Sequence, residues 1–329
     1  MVFNKENQQL IKEIEDTMSN YILKTYKKGN TKRDAHPKTH AVVKGLFHIN
    51  PDLPETLKIG LFNNPSSYQA VIRFSNASHI IKPDSKPDIR GISIKLLGIK
   101  GDRVKNSIET KTQDILLMTH PTMPLGTLKK FHNTITNTVN TNILKRLFWV
   151  VKNKTLFNKI RQAEKTHNSL SDLSYWSTTT YAFGDKIIKY KLTPKVHENK
   201  TYAVNQNPNF LKERLISELT NNDIVFDFCV QFYKNDTLTP LDDMSLDWDE
   251  TLNPFLKVAT LVIPSQTVKE QPEIDKLLTF SLTNSLLAHK AVGELNEVRI
   301  KIYQKLALLR HKLNHLDLKE FTANDYNNL

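Results

Sequence analysis

Arg299 and Tyr303 stand four positions apart near the end of the chain, so on a helix their side chains share one face. That pairing has a chemical use. A tyrosine binds ferric iron, including that of a haem, as a phenolate, and a neighbouring guanidinium favours this anion against the ordinary tyrosine pKa of about 10. The same spacing is also common as plain helix packing. A second cluster, Arg33-Asp34-Ala35-His36-Pro37-Lys38-Thr39-His40, lies near the beginning. A histidine beside a proline at a strand entrance is most often a satisfied loop residue. As a catalyst, His36 would take a proton from one substrate atom and return it to another, work suited to a pKa near neutrality.

Hydrophobic periodicity shows which elements must position these residues. Residues 7–27 predict an opening helix, because Leu10, Ile11, Ile14, Met18, Tyr21 and Ile22 recur at helical spacing. Short runs rich in Val, Ile and Phe at 41–49, 70–75 and 91–97 read as strands of an antiparallel sheet or barrel. Helical periodicity returns over 125–165. It includes a basic amphipathic stretch at 143–152, read as a packed helix with snorkelling lysines or as a contact to a membrane surface or lipid substrate. Further strand signals follow at 175–181, 187–192, 224–232 and 256–263, with the turn Phe183-Gly184-Asp185 between the first two. A last helix over 295–313 carries the stripe Val298, Ile302, Leu306 and Leu309, and with it Arg299 and Tyr303. Two blocks of strands, separated and closed by helices, predict an α+β fold with a central antiparallel barrel. One domain is expected over 1–329, with residues 1–30 as an N-terminal helix and a core over about 30–315.

The order of the pieces resembles the haem-dependent catalase superfamily, particularly its small bacterial catalase-related members. Arg33, His36, Gly45 and Phe47 match an Arg-x-x-His motif followed by a Gly- and Phe-bearing strand. Val71-Ile72-Arg73-Phe74-Ser75 looks like the catalase Val-x-Arg-Phe-Ser strand, and residues 88–95 are similar to its Asp-x-Arg-Gly-x-x-x-Lys segment. Asn296 to Tyr303 resembles the proximal helix of the small members. The resemblance implies a catalase-like antiparallel β-barrel core with surrounding helices, and haem b as cofactor. It places His36 on the distal face, Tyr303 as the iron ligand, Arg299 as its support, and Arg33 and Arg73 near the propionates. Ser75 and Phe131 are further cofactor contacts on this basis. Arginine suits the propionates because its planar fork meets a carboxylate with two hydrogen bonds. Arg90 could equally brace the fold.

The sequence departs from the family pattern at Gln113 to Pro121, where Met118 or Thr119 takes the place of the distal asparagine. A threonine hydroxyl hydrogen-bonds with a different reach, and a methionine offers only a weak acceptor. Thr119 is the candidate catalytic residue here, with His120 as an alternative extra base. Thr178 stands where large catalases carry a histidine, and Met123 and Pro124 replace an aromatic pair. The expected activity is therefore a hydroperoxidase for hydrogen peroxide or organic hydroperoxides with modest catalase turnover. The alternatives are an isomerase or lyase acting on fatty-acid hydroperoxides, as in allene oxide synthases, and a non-enzymatic haem-binding or basic interaction protein.

Composition limits the remaining classes. With 39% hydrophobic and 24% charged residues and a mean hydropathy of -0.44, the chain reads as globular. Its net charge of +12 and pI near 9.4 favour anionic partners, yet the lysines are dispersed, as over 186–200, and no nucleic-acid motif accompanies them. Cys229, the single cysteine, sits in an apolar strand-like run and is expected to be a buried thiol, which fits a reducing compartment. No signal peptide or spanning segment is visible, so a cytoplasmic protein is expected, with a homo-oligomer slightly favoured.

Overall fold

The computed structural model describes residues 4–139, 141–195 and 207–329; the end of the lysine-bearing stretch 186–200 lies outside them. In chain order the elements are α1 (Lys5–Thr25), β1 (Lys38–Ile49), β2 (Ser67–Asn76), β3 (Arg90–Leu97) and β4 (Thr112–Met118). Three helices follow: α2 (Leu128–Thr138), α3 (Ile143–Lys152) and α4 (Lys154–Ala163). Then come β5 (Tyr175–Trp176), β6 (Tyr181–Phe183), β7 (Lys186–Pro194), α5 (Phe210–Asn221), β8 (Ile224–Phe232) and β9 (Leu256–Ile263). The chain closes with α6 (Pro272–Leu277), α7 (Glu294–Leu313) and α8 (Ala323–Asn327).

The strands pair antiparallel in the ring β1-β2-β3-β4-β5-β7-β8-β9, and β9 returns to β1 to close an eight-stranded barrel. β6 forms a hairpin with β7 outside that ring, turning at Gly184, whose φ of 67° is the left-handed conformation glycine adopts without strain. Closure removes the exposed edges an open sheet would present. Side chains alternate across each strand, so Phe47, Phe74, Ile92, Ile94, Leu117, Phe226 and Phe228 fill the interior. Each such buried phenylalanine or isoleucine contributes roughly 1.5–3 kcal/mol by leaving water. Cys229 is buried as expected, and burial pushes its thiol up to about 11.

The opposite face of β2, β3 and β4 looks outward and carries the polar residues Arg73, Ser75, Ser93, Lys95 and Asp114. α7 lies outside the barrel, packing Val298, Ile302 and Leu306 against Ile11, Ile14, Met18 and Ile22 of α1 and Leu128 of α2. The segment leading into α7 is pinned to β4. Asp114 accepts hydrogen bonds from the Ser281 and Asn284 groups at 2.8 Å each. Lys95, opposite Asp114 in the ladder, reaches both it (2.7 Å) and Glu109 (2.8 Å), all three fully buried. Burial opposes the Lys95 charge, but Asp114 and Glu109 outweigh it and raise its pKa.

The sequence-predicted strand at 175–181 is broken in the structure. It is split into β5 and β6 by a bend at residues 177–180, where Thr178 has a φ of 58° and the Ser177 hydroxyl bonds the Thr179 carbonyl. β4, α5, α6 and α8 carry no expectation from the sequence.

Removing Lys95 leaves two buried carboxylates uncompensated. Lys95→Met should destabilise the fold by about 3–5 kcal/mol in a chemical denaturation series. A loss below about 1 kcal/mol would mean that the triad does not hold the α7 approach.

Candidate active site

The outward faces of β2–β4, together with α1, α2, α4 and α7, enclose a cavity of about 350 Å³. His36, Arg33, Arg73, Phe131, Arg299 and Tyr303 all line it. The structure thus brings six of the sequence-predicted residues together from segments more than 250 positions apart.

On one side, α7 presents Tyr303 and Arg299. Arg299 Nε donates to the Tyr303 hydroxyl at 3.2 Å, and its Nη1 donates to Thr179 Oγ1 (2.7 Å) and Asn296 Oδ1 (2.9 Å). The Asn296 amide in turn donates to the carbonyls of Thr180 and Val292. The bend between β5 and β6 therefore clamps the first turn of α7. Burial works against the Arg299 charge, but the Tyr303 and Tyr181 phenols beside it raise its pKa, so the guanidinium stays charged next to the Tyr303 oxygen.

On the barrel side, the ladder sets a row Thr39–Ser75–Gly91–Met118 across neighbouring strands. His36, in the left-handed region with φ 58°, folds its ring over this row. Its Nδ1 lies 2.9 Å from Ser75 Oγ, and its carbonyl accepts from Arg73 Nη2 at 2.8 Å. Gly91 leaves the room: a methyl group there would lie 2.5 Å from His36 Cε1. Ser75 is thus a support for His36 rather than a wall residue. His36 Nε2 has no hydrogen-bond partner among the described residues. Burial, followed by Arg73, Arg33 and Arg299, lowers the His36 pKa to about 3, so the ring is neutral.

One carboxylate organises the arginines. Asp275 Oδ1 accepts from Arg73 Nε (2.7 Å) and Arg33 Nη1 (2.9 Å), while Arg33 Nη2 also reaches the carbonyls of Asp275 and Leu278. Although burial alone would raise it, Arg73 and Arg33 hold the Asp275 carboxyl well below the usual carboxylate range. Arg310, seven residues beyond Tyr303, also lines the cavity and donates to the Leu278 carbonyl at 2.8 Å. Burial and the neighbouring Arg33 push its pKa well down. Sequence reading missed Arg310, although the spacing 299, 303, 310 was available to reveal it. Three guanidiniums, Arg33, Arg73 and Arg310, stand against two aspartates, Asp275 and Asp34, and leave a positive surplus on this side of the cavity. Asp34, also on the wall, is pushed up to about 6 by burial.

The remaining wall is apolar: Leu116 and Met118 from β4, Met123, Leu125, Phe131 and Ile160. At the position in question the wall takes Met118, whereas the Thr119 hydroxyl accepts from the Arg90 amide at 2.9 Å. Met118 pairs with Gly91, so it shares the outward row with Ser75, and the next residue falls outside that row. His120 is not on the wall; its Nδ1 stays near Thr122. Arg90 is fully buried and donates to the Asp84 and Lys86 carbonyls, the bracing role.

The residues fit a haem. An oxygen donor paired with a cation, a neutral imidazole, an arginine surplus for two carboxylates and an apolar wall match its iron, propionates and ring. Thr178 Oγ1 adds a buried hydroxyl that is on the wall and has no partner among the described residues.

No family model matches the sequence, and no curated protein matches it in sequence. Solved structures do match in fold. A fungal catalase superposes with a TM-score of 0.66 at 15% identity, over 88% of this chain and 62% of its own. Catalase A from Saccharomyces cerevisiae gives 0.68 at 14% over 88% and 64%, and a bacterial catalase 0.63 at 16% over 100% and 63%. This chain has a catalase-like fold. It spans less than two thirds of the length of each of these catalases. The antiparallel barrel and the helices packed around it are those the sequence resemblance implied.

A neutral His36 has a measurable consequence. With its pKa lowered to about 3, the His36 ring signals in a histidine-labelled NMR titration should stay constant from about pH 8 to about pH 5, where an ordinary histidine titrates. A midpoint near the ordinary value of about 6.5 would contradict this electrostatic reading.

Proposed function

We propose that this chain is a haem-dependent hydroperoxidase that uses hydrogen peroxide or organic hydroperoxides and has modest catalase activity. One observation carries the reading: Tyr303, backed by Arg299, and His36, fixed by Ser75 and Arg73, line the same cavity. Tyr303 would hold haem b through its phenol oxygen, with Arg33, Arg73 and Arg310 toward the propionates and Phe131 against the ring. When bound, the haem would supply the redox-active iron that cleaves the peroxide O–O bond.

The chain's own residues supply the proton handling. His36 Nε2 takes a proton from one peroxide oxygen and returns it to the other, which then leaves as water or alcohol. The contact of Nδ1 with Ser75 keeps the ring in place through both transfers. Arg299 holds positive charge at the Tyr303 oxygen and so favours the anionic ligand. Met118 supplies no N–H to orient a second peroxide, which is why we infer slow oxygen release. The apolar wall around Met123, Leu125 and Ile160 favours a second reading, isomerase or lyase action on fatty-acid hydroperoxides; analysis of the products formed from a lipid hydroperoxide separates the two. A reducing, cytoplasmic setting and a homo-oligomer belong to the same proposal.

Reconstitution with haem tests it. Tyr303→Phe should lose the wild-type haem spectrum, whereas Arg299→Ala should bind haem with an altered one. His36→Ala should keep haem and lose about 10²–10⁴-fold in peroxide turnover, the usual contribution of a proton-transfer group. A Tyr303→Phe protein with an unchanged spectrum, or a fully active His36→Ala protein, would overturn the assignment.

The distal row gives a further expectation. Met118→Asn should raise oxygen release from hydrogen peroxide, and Thr119→Asn should not, because only position 118 lies on the cavity wall. Wild-type oxygen release already as fast as that of a large catalase would contradict the role given to Met118.

A further inference from the structure

Helix α3 has no buried residue, although seven of its ten residues are large and apolar. Ile143, Leu144, Leu147, Phe148 and Val151 are 54–76% exposed. At 100° per residue these five fall within an arc of about 140° on the helix surface. Lys145 and Lys152 border one side of that arc and Arg146 the other. Trp149 points away from it and packs edge-on against Phe157 of α4, with ring centroids 5.5 Å apart, so the helix is braced with its apolar side outward.

The surroundings are one-signed. Residues 115–163 contain eight Lys or Arg and no Asp or Glu. Lys145, Arg146, Lys152, Lys154, Lys159 and Arg161 are exposed and take part in no ion pair among the described residues. A second copy of the chain docked on this face would bring the same cations against themselves. An anionic lipid surface meets both features: acyl chains receive the apolar arc, and lysine stems lie along it with their ammonium groups at the headgroups.

We propose that α3 is a membrane-docking helix that lies in the plane of an anionic bilayer surface. α4 follows directly, and its Ile160 lines the cavity, so docking holds that cavity beside the lipid. The docking does not depend on the peroxide chemistry, and it is tested without haem turnover.

The test is co-sedimentation of the full chain with vesicles of phosphatidylglycerol or of phosphatidylcholine, with light scattering for its oligomeric state. The chain should pellet with the anionic vesicles about tenfold better than with the zwitterionic ones, and added salt should weaken that binding. The double variant Leu144→Ser/Phe148→Ser should lose about tenfold in binding with an unchanged thermal unfolding midpoint, since both side chains are exposed. Lys145→Gln/Lys152→Gln should weaken binding to phosphatidylglycerol only. Wild-type protein that stays in solution with both vesicles overturns the proposal. So does equal binding by the serine variant, or a dimer that dissociates on the serine substitutions while ignoring lipid.

Discussion

The buried charge of Arg299 is the constraint around which this molecule is arranged. A guanidinium removed from water is tolerated only where it is fully hydrogen-bonded and next to groups that favour its charge. Thr179, Asn296 and Tyr303 meet that demand together. Thr179 lies in the bend that interrupts what would otherwise be one strand from 175 to 183, and Asn296 lies in the first turn of α7. Satisfying one side chain therefore fixes how a helix docks on the barrel and where the Tyr303 oxygen points.

The opposite wall is built by a different use of the same physics. Asp275 holds Arg73 and Arg33, Arg73 holds the His36 carbonyl, and Ser75 holds the His36 ring over Gly91. Two of the four non-glycine residues with positive φ among the described residues, His36 and Thr178, are on the cavity wall. Such conformations persist where surrounding contacts impose them, and they concentrate where a chain positions chemistry. Burial first, and then the arginines that would receive carboxylates, make an imidazolium unfavourable and keep His36 neutral.

Much of this was legible before the structure. The strands at 224–232 and 256–263 and the helix at 295–313 match β8, β9 and α7 to within a residue, because their apolar residues repeat at the spacing each element requires. β4 left no alternating signal: Thr112-Gln113-Asp114 are polar yet buried beneath the α7 approach, and Ile115 to Met118 are apolar on both faces because the outer face borders an apolar cavity. Register decided the choice between Met118 and Thr119, and register appears only when Gly91 is seen opposite Met118. The break at Thr178 was hidden for a related reason, since a β-branched residue at φ 58° is a conformation that local propensity argues against.

The central claim is that the Tyr303 oxygen is the iron ligand of a haem held in this cavity. Resonance Raman spectroscopy of the haem-reconstituted chain, prepared with natural and with ring-deuterated tyrosine, addresses that bond directly. The account predicts iron-coordinated phenolate bands that shift on tyrosine labelling in a complex of one haem per chain. Bands insensitive to tyrosine labelling, or a haem whose protein ligand is a histidine, would contradict it.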